Sequence, residues 1–360
     1  MRIVVKLGSS LLSGSSGVNT ILIDQLASQI MQLSDHKFAI VTSGAISTGM
    51  KKFGLTEKPK DVALLQALAA IGQSDLIRAY ENSFDERKIL AQVLLTNADF
   101  SDRMRYLNIR NTLMALISRD VIPIINENDT VTVMDIKKAA FGDNDSLSAH
   151  ISAAIDADLL NILTNVDGLY DRNPKEKGAK LIKVVNSISD SEISMCSGTS
   201  ELGRGGMLAK VRSAKIATEA GVKVIVANGL EKDVIIKAIS GSIGTTFNPS
   251  KKSKYVEAKH WLAFASAPKG KIVVNNNAMQ CAVNKNCGIN PIDIISVTGP
   301  FDKGDVIEIL DSSGSVLCKG ITNYFSHELD RVKGKSTEQI YEILGFAYEN
   351  AVTSSDMVVT

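Results

Sequence analysis

Histidine and cysteine are both scarce in this 360-residue chain, four of each, and no two cysteines form a CxxC pair. His36, His150, His260 and His327 are scattered among Cys196, Cys281, Cys287 and Cys318. A zinc centre is therefore not expected, and reduced structural thiols are. No cysteine sits beside residues that would activate it as a nucleophile. An excess of one charge is missing too, since 40 Lys+Arg against 39 Asp+Glu give a net charge of +1. That removes any whole-chain argument for binding nucleic acid or an anionic membrane. No stretch approaches the ~18 apolar residues of a membrane span, and the first apolar run, around Ile3-Val4-Val5, is far too short for a signal peptide. A cytoplasmic protein is expected. Two nucleotide fingerprints are also lacking. Gly334-Lys335-Ser336 ends like a Walker A loop, but Leu329 stands where its first Gly belongs. Gly203-x-Gly205 starts like a dinucleotide fingerprint, but Leu208 replaces the third Gly.

What the chain does have is an ordinary globular composition, 44% hydrophobic and 22% charged, and the length for one large domain plus a small one. The first part alternates apolar runs with helical periodicity, the pattern of an α/β fold with a mostly parallel sheet sandwiched by helices. Strands are expected at Arg2–Lys6, Phe38–Val41, Ile89–Leu95, Val121–Ile125, Leu159–Leu163 and Lys223–Val226. Helices are expected at Ile21–Leu33, Val62–Phe84 and Lys210–Ala220. Between Asn248 and Gly270 the run Pro249-Ser250-Lys251-Lys252-Ser253-Lys254 reads as a solvated linker. Beyond Lys271, short strands such as Val306–Leu310 and Val316–Cys318, joined by Asp311-Ser312-Ser313-Gly314, describe a small β-rich domain.

Three Gly-punctuated segments carry the chemistry: Lys6-Leu7-Gly8-Ser9-Ser10, Phe141-Gly142-Asp143-Asn144-Asp145, and Gly203-Arg204-Gly205-Gly206-Met207-Leu208-Ala209-Lys210. Bare backbone N–H groups beside a lysine suit phosphate oxygens. An acidic cluster between two such loops suggests phosphoryl transfer, which depends on positioning and charge neutralisation. Each segment also has a plainer reading. Lys6 could snorkel to the surface from its strand, and Lys210 could be a solvated first-turn lysine. Asn126-Glu127-Asn128-Asp129 could be only a turn, and Asp143 or Asn144 only an N-cap. Lys6, Ser43, Asn126 and Thr164 all fall at or just after the ends of expected strands, so they should converge on one rim of the sheet.

These segments, with Val41-Thr42-Ser43-Gly44-Ala45-Ile46, Leu163-Thr164-Asn165-Val166-Asp167-Gly168-Leu169-Tyr170 and Gly244-Thr245-x-Phe247, resemble in this order the glutamate 5-kinase family of the amino acid kinase superfamily. From Lys271 to Gly345, notably Phe301-x-x-Gly304-Asp305-Val306 and Lys319-Gly320-Ile321-x-Asn323-Tyr324, the chain is similar to a PUA domain. The resemblance implies an amino acid kinase domain at 1–250, a linker at 251–270, a PUA-like domain at 271–350 and a C-terminal tail at 351–360. The implied reaction moves the γ-phosphoryl of ATP to the side-chain carboxylate of L-glutamate, the first step of proline biosynthesis. Lys6, Asp145 and Lys210 would be catalytic, with Asp145 orienting both lysines. Lys6, Gly8, Ser9, Thr164, Asn165, Arg204, Gly205, Gly206, Met207 and Lys210 would hold the nucleotide. Ser43, Gly44, Asp129 and Asn144 would hold glutamate. Mg²⁺ would ride on the ATP phosphates with no protein site of its own. A homo-oligomer, feedback by proline and a glutamyl phosphate reductase as partner are implied in the same way. Asn165 stands where the family usually has Asp, and Arg204 where it has Thr, which makes the nucleotide region more positive. Extra residues near Lys137-Lys138-Ala139-Ala140 would alter a loop over the glutamate pocket.

Two rivals are weighed. Another superfamily member, an acetylglutamate, aspartate or uridylate kinase, is disfavoured by the Asn126–Asp129 turn and the PUA-like tail. RNA binding by that tail is disfavoured by its charge, seven basic against eleven acidic side chains from residue 271 onward. A structural or regulatory role for the tail is expected instead.

Overall fold

The computed structural model describes residues 1–14, 17–131, 144–195, 206–249, 267–284, 287–354 and 357–359. The chain divides into two compact units, one holding a larger sheet and the other a smaller one.

The larger unit opens with β1 (Arg2–Leu7), the short α1 (Ser9–Leu12) and a small hairpin, β2 (Ser13–Gly14) and β3 (Gly17–Val18). Then come α2 (Thr20–Gln32), β4 (Lys37–Val41), α3 (Ala45–Lys52), α4 (Val62–Phe84), β5 (Leu90–Leu95), α5 (Asn97–Ser101), α6 (Arg103–Ser118) and β6 (Ile122–Glu127). The rest is α7 (Asn144–Ala154), β7 (Leu159–Thr164), β8 (Val184–Val185), α8 (Asp190–Met195), α9 (Met207–Glu219), β9 (Lys223–Asn228), α10 (Val234–Ser240) and β10 (Thr245–Phe247). Eight strands form one sheet in the order β5-β6-β4-β1-β7-β9-β10-β8. It is parallel except where β10 runs antiparallel to β9. Helices cover both faces, which is why β1, β4 and β7 are buried along almost their whole length.

The alternation along β1 positions the site. Ile3, Val5 and Leu7 join the core built with Leu22, Ile23, Leu26 and Ile30 of α2. Side chains alternate across a strand, so Lys6 lies on the opposite face, the one on which α7 packs. The order in which strands are added also reverses at β1, with β4 beside it on one edge and β7 on the other, both parallel to it. Ligands of open α/β sheets gather at the carboxyl ends beside such a reversal.

Helix α4 covers the expected 62–84 span, with the Asp61 side chain accepting from Ala63 N at its start. It lies almost backbone to backbone on α3. A Cβ on Gly72 would come within 1.9 Å of Ala45 O, and one on Gly49 within 1.9 Å of Leu68 O. Only glycine permits that approach.

The smaller unit has a five-stranded mixed sheet. Its strands are β11 (Gly270–Val274), β12 (Ile294–Thr298), β13 (Val306–Leu310), β14 (Val316–Ile321) and β15 (Met357–Val359), in the order β12-β11-β13-β14-β15. Ile272, Ile307, Ile309, Tyr324, Leu329 and Val352 centre its core. Cys318 is buried there, and burial pushes its thiol up to about 12. Cys287 is disulfide-bonded, where reduced thiols are the expectation from sequence. The stretch 351–360, expected as a tail, supplies β15, which pairs with β14. Most of the expected 251–270 linker lies outside the described residues.

Candidate active site

Lys6 is 2% exposed, Lys210 5% and Asp145 0%. An ammonium that deep in the protein must be paired. Lys6 Nζ forms an ion pair with Asp145 Oδ1, and Lys210 Nζ donates to Asp145 Oδ2 at 3.1 Å. Lys6 therefore does not snorkel, and Lys210 is not a solvated first-turn lysine. Three elements supply the cluster: the end of β1, the first turn of α7 and the first turn of α9. The N-terminus of α9 adds backbone N–H groups that favour anions, with Gly206 in extended conformation at its cap.

This cluster borders a cavity of about 740 Å³, of the size that takes up small ligands. Lys6, Gly8, Ser9, Thr164, Asn165, Gly206, Met207 and Lys210 line one part of it, and Ser43, Gly44, Asp129 and Asn144 also contribute to its wall. Asp145 sits behind this lining, reached through the two lysines. Arg204 and Gly205 lie outside the described residues, as do Phe141-Gly142-Asp143 and the Lys137–Ala140 stretch.

Asn144 does not act as a simple cap. Its Nδ2 shares two hydrogens among three acceptors, Thr42 O at 2.5 Å, Ser43 Oγ at 2.9 Å and Asn126 Oδ1 at 2.9 Å. Its Oδ1 is buried and has no protein partner among the described residues. An orphaned buried acceptor costs free energy unless a ligand or water supplies a donor. Asp129, in the turn after β6, has its carboxyl raised to about 6, because burial outweighs the nearby Lys58 ammonium.

Residues 1–228 match the family model described as the amino acid kinase family. This chain belongs to that family. Residues 270–344 match the PUA domain model. The kinase is 43% identical over 366 residues to the glutamate 5-kinase of Caldanaerobacter subterraneus subsp. tengcongensis, covering 100% of this chain and 97% of the relative. It is 38% identical over 351 residues to the glutamate 5-kinase of Acinetobacter baylyi, covering 96% and 92%. It is thus a member of the glutamate 5-kinases. A carbamate kinase from Giardia lamblia bound to AMP-PNP shares the fold, with a TM-score of 0.50 at 16% identity, over 69% of this chain and 98% of that one.

Sequence reasoning misses three parts of the kinase's site. Lys58 lines the cavity from an exposed loop that carries no motif. Tyr170, Asn173 and Pro174 also line it, and of these only Tyr170 belongs to a segment that carries the resemblance. Behind the wall, Tyr80 of α4 is buried with its hydroxyl 2.9 Å from Thr42 Oγ1, and burial drives its pKa far up. An amphipathic helix gives no sign of such a contact, because its inward face reads only as core.

Proposed function

We propose that this protein transfers the γ-phosphoryl of ATP to the side-chain carboxylate of L-glutamate, forming glutamyl 5-phosphate and ADP. The observation that carries the reading is the pair of buried ammonium groups, Lys6 and Lys210, held by one carboxylate at the edge of a cavity large enough for both substrates. A glutamate side chain, with pKa of about 4.3, is already ionised at neutral pH and needs no general base. One of its oxygens attacks the γ-phosphorus, and the bond to the β–γ bridging oxygen breaks, leaving that electron pair on ADP. The obstacle is repulsion between two anions, and fixed cations and N–H donors lower it most where charge moves in the transition state.

In this reading Lys6 contacts the transferring group and Lys210 the ATP phosphates, while Asp145 keeps both aimed. Ser9, Gly206 and Met207 add backbone donors. Gly8, whose own N–H donates to Leu163 O at 3.3 Å, lets the phosphates approach the backbone. Thr164 and Asn165 lie against the nucleotide, with Arg204 and Gly205 completing the nucleotide set. Ser43, Gly44 and Asn144 hold glutamate, and Asp129 takes its α-ammonium. The phosphate end of the cavity offers ammonium and N–H groups rather than carboxylates, which suits a Mg²⁺ carried on the phosphates and neutralising their oxygens. The product is an acyl phosphate, prone to hydrolysis, so a reductase that receives it belongs to the same proposal. Homo-oligomerisation, inhibition by proline and a cytoplasmic location rest on the family alone. An ADP-coupled assay with glutamate, acetylglutamate, aspartate and UMP tests the acceptor. Turnover with glutamate is expected, and turnover only with another acceptor overturns the reading.

A further inference from the structure

The buried amide of Asn144 is the last of three that run from α4 to the acceptor side of the cavity. Gln73 Oε1 accepts from Asn126 Nδ2 at 2.8 Å, and Asn126 Oδ1 accepts from Asn144 Nδ2 at 2.9 Å. Backbone groups and the Gln73 carbonyl together set the direction of this series. Asn126 Oδ1 also accepts from the Glu127 N–H at 2.9 Å, so Asn126 must turn its NH₂ toward Gln73. Asn144 must likewise turn its NH₂ toward Thr42 O, which leaves its Oδ1 as the unpartnered acceptor. Gln73 follows Gly72, whose missing side chain seats α4 directly on Ala45 O, so the origin of the series is held rigidly. Asn126 is satisfied at both ends, while Gln73 Nε2, like Asn144 Oδ1, has no partner among the described residues. Turning any one amide over would set NH₂ against NH₂ or oxygen against oxygen, which makes one orientation of all three preferred.

We propose that Gln73 is a positioning residue for the acceptor: through Asn126 it sets the Asn144 carbonyl to receive a hydrogen bond from bound glutamate. The inference rests on the reading of Asn144 as a glutamate ligand. It concerns the acceptor alone, because no member of the series reaches the Lys6–Asp145–Lys210 cluster in this set of bonds.

The test uses the full chain carrying Gln73→Met, Gln73→Glu or Asn144→Ala, with KM for glutamate and ATP, kcat and thermal midpoint measured for each. Gln73→Met should raise the glutamate KM about tenfold or more and leave the ATP KM within about twofold. Gln73→Glu keeps an oxygen facing Asn126 and should stay within about threefold of the parent for both substrates. The inference is overturned by a parental glutamate KM in Gln73→Met. It is equally overturned by a loss of affinity for both substrates together with a lowered midpoint, or by Gln73→Glu failing as badly as Gln73→Met. A parental glutamate KM in Asn144→Ala would instead remove the reading of the acceptor pocket itself.

Discussion

Lys6 and Lys210 meet on the carboxylate of Asp145, one ammonium at each oxygen. The pairing fixes two cations from distant parts of the chain before any substrate arrives. Preorganised charge of this kind is worth most in a site that excludes water, because nothing has to reorient as the reaction proceeds. Lys6→Ala should therefore lower kcat by about 10²-fold or more, read as ADP release at saturating substrates. Near-parental turnover would remove Lys6 from the mechanism.

Asp145 supports the fold as well as the proposed site. Replacing it with Ala leaves two buried ammonium groups without the carboxylate they share, a change that costs about 3–5 kcal/mol when one member of a buried pair is lost. Asp145→Ala is expected to lower the thermal midpoint and abolish turnover together. An unchanged midpoint would mean that the lysines find other counter-charges.

The raised carboxyl of Asp129 gives a pH dependence with a defined sign. A carboxyl that titrates near 6 when folded and near 3.8 otherwise binds its proton more tightly in the native state. The fold thus loses stability as pH rises from about 4 to about 6, and the loss persists above that. Asp129→Asn should recover it, raising stability at pH 7 by about 1–2 kcal/mol after allowance for partial solvent screening. The same substitution should raise the glutamate KM, since the α-ammonium loses its counter-charge. In the parent, glutamate KM should climb as pH falls below about 6, where Asp129 protonates. A pH-independent glutamate KM between 5 and 8 would contradict the assignment.

Gly72→Ala tests the α3–α4 contact. The added methyl would sit 1.9 Å from Ala45 O, so one helix must shift. Overpacking of this sort costs about 1–3 kcal/mol, and a lower thermal midpoint is the expected outcome. A parental midpoint would show that the helices part without strain.

Every described cavity-lining residue precedes position 211, so a chain ending at Asn248 should retain measurable turnover. A folded but inactive truncation would show that the smaller unit completes the site.

Much of this arrangement is legible in the sequence, for identifiable reasons. The strand at β1 and the helix at α4 announce themselves through the apolar run Ile3-Val4-Val5 and a sustained helical period, and both stand where those patterns put them. The rim residues Lys6, Ser43, Asn126 and Thr164 share one cavity because the ends of parallel strands share one edge. Strands β8 and β15, with two and three residues, are too short to give a period, and their existence depends on the partners they pair with. Gln73 and Tyr80 are illegible for another reason. Their contacts depend on the ends of β4 and β6 coming to rest against α4, which no local signal in the helix announces.

The central placement of β1 has a consequence for how such an enzyme diversifies. In the proposed reading, residues just after β4 and β6 serve the acceptor and those just after β7 and at the start of α9 serve the nucleotide, and Lys6, on the strand between β4 and β7, stands on the boundary between them. Each half can be rebuilt by insertion or substitution on its own side of that boundary. A new acceptor can then be admitted while the apparatus that presents phosphate is inherited intact.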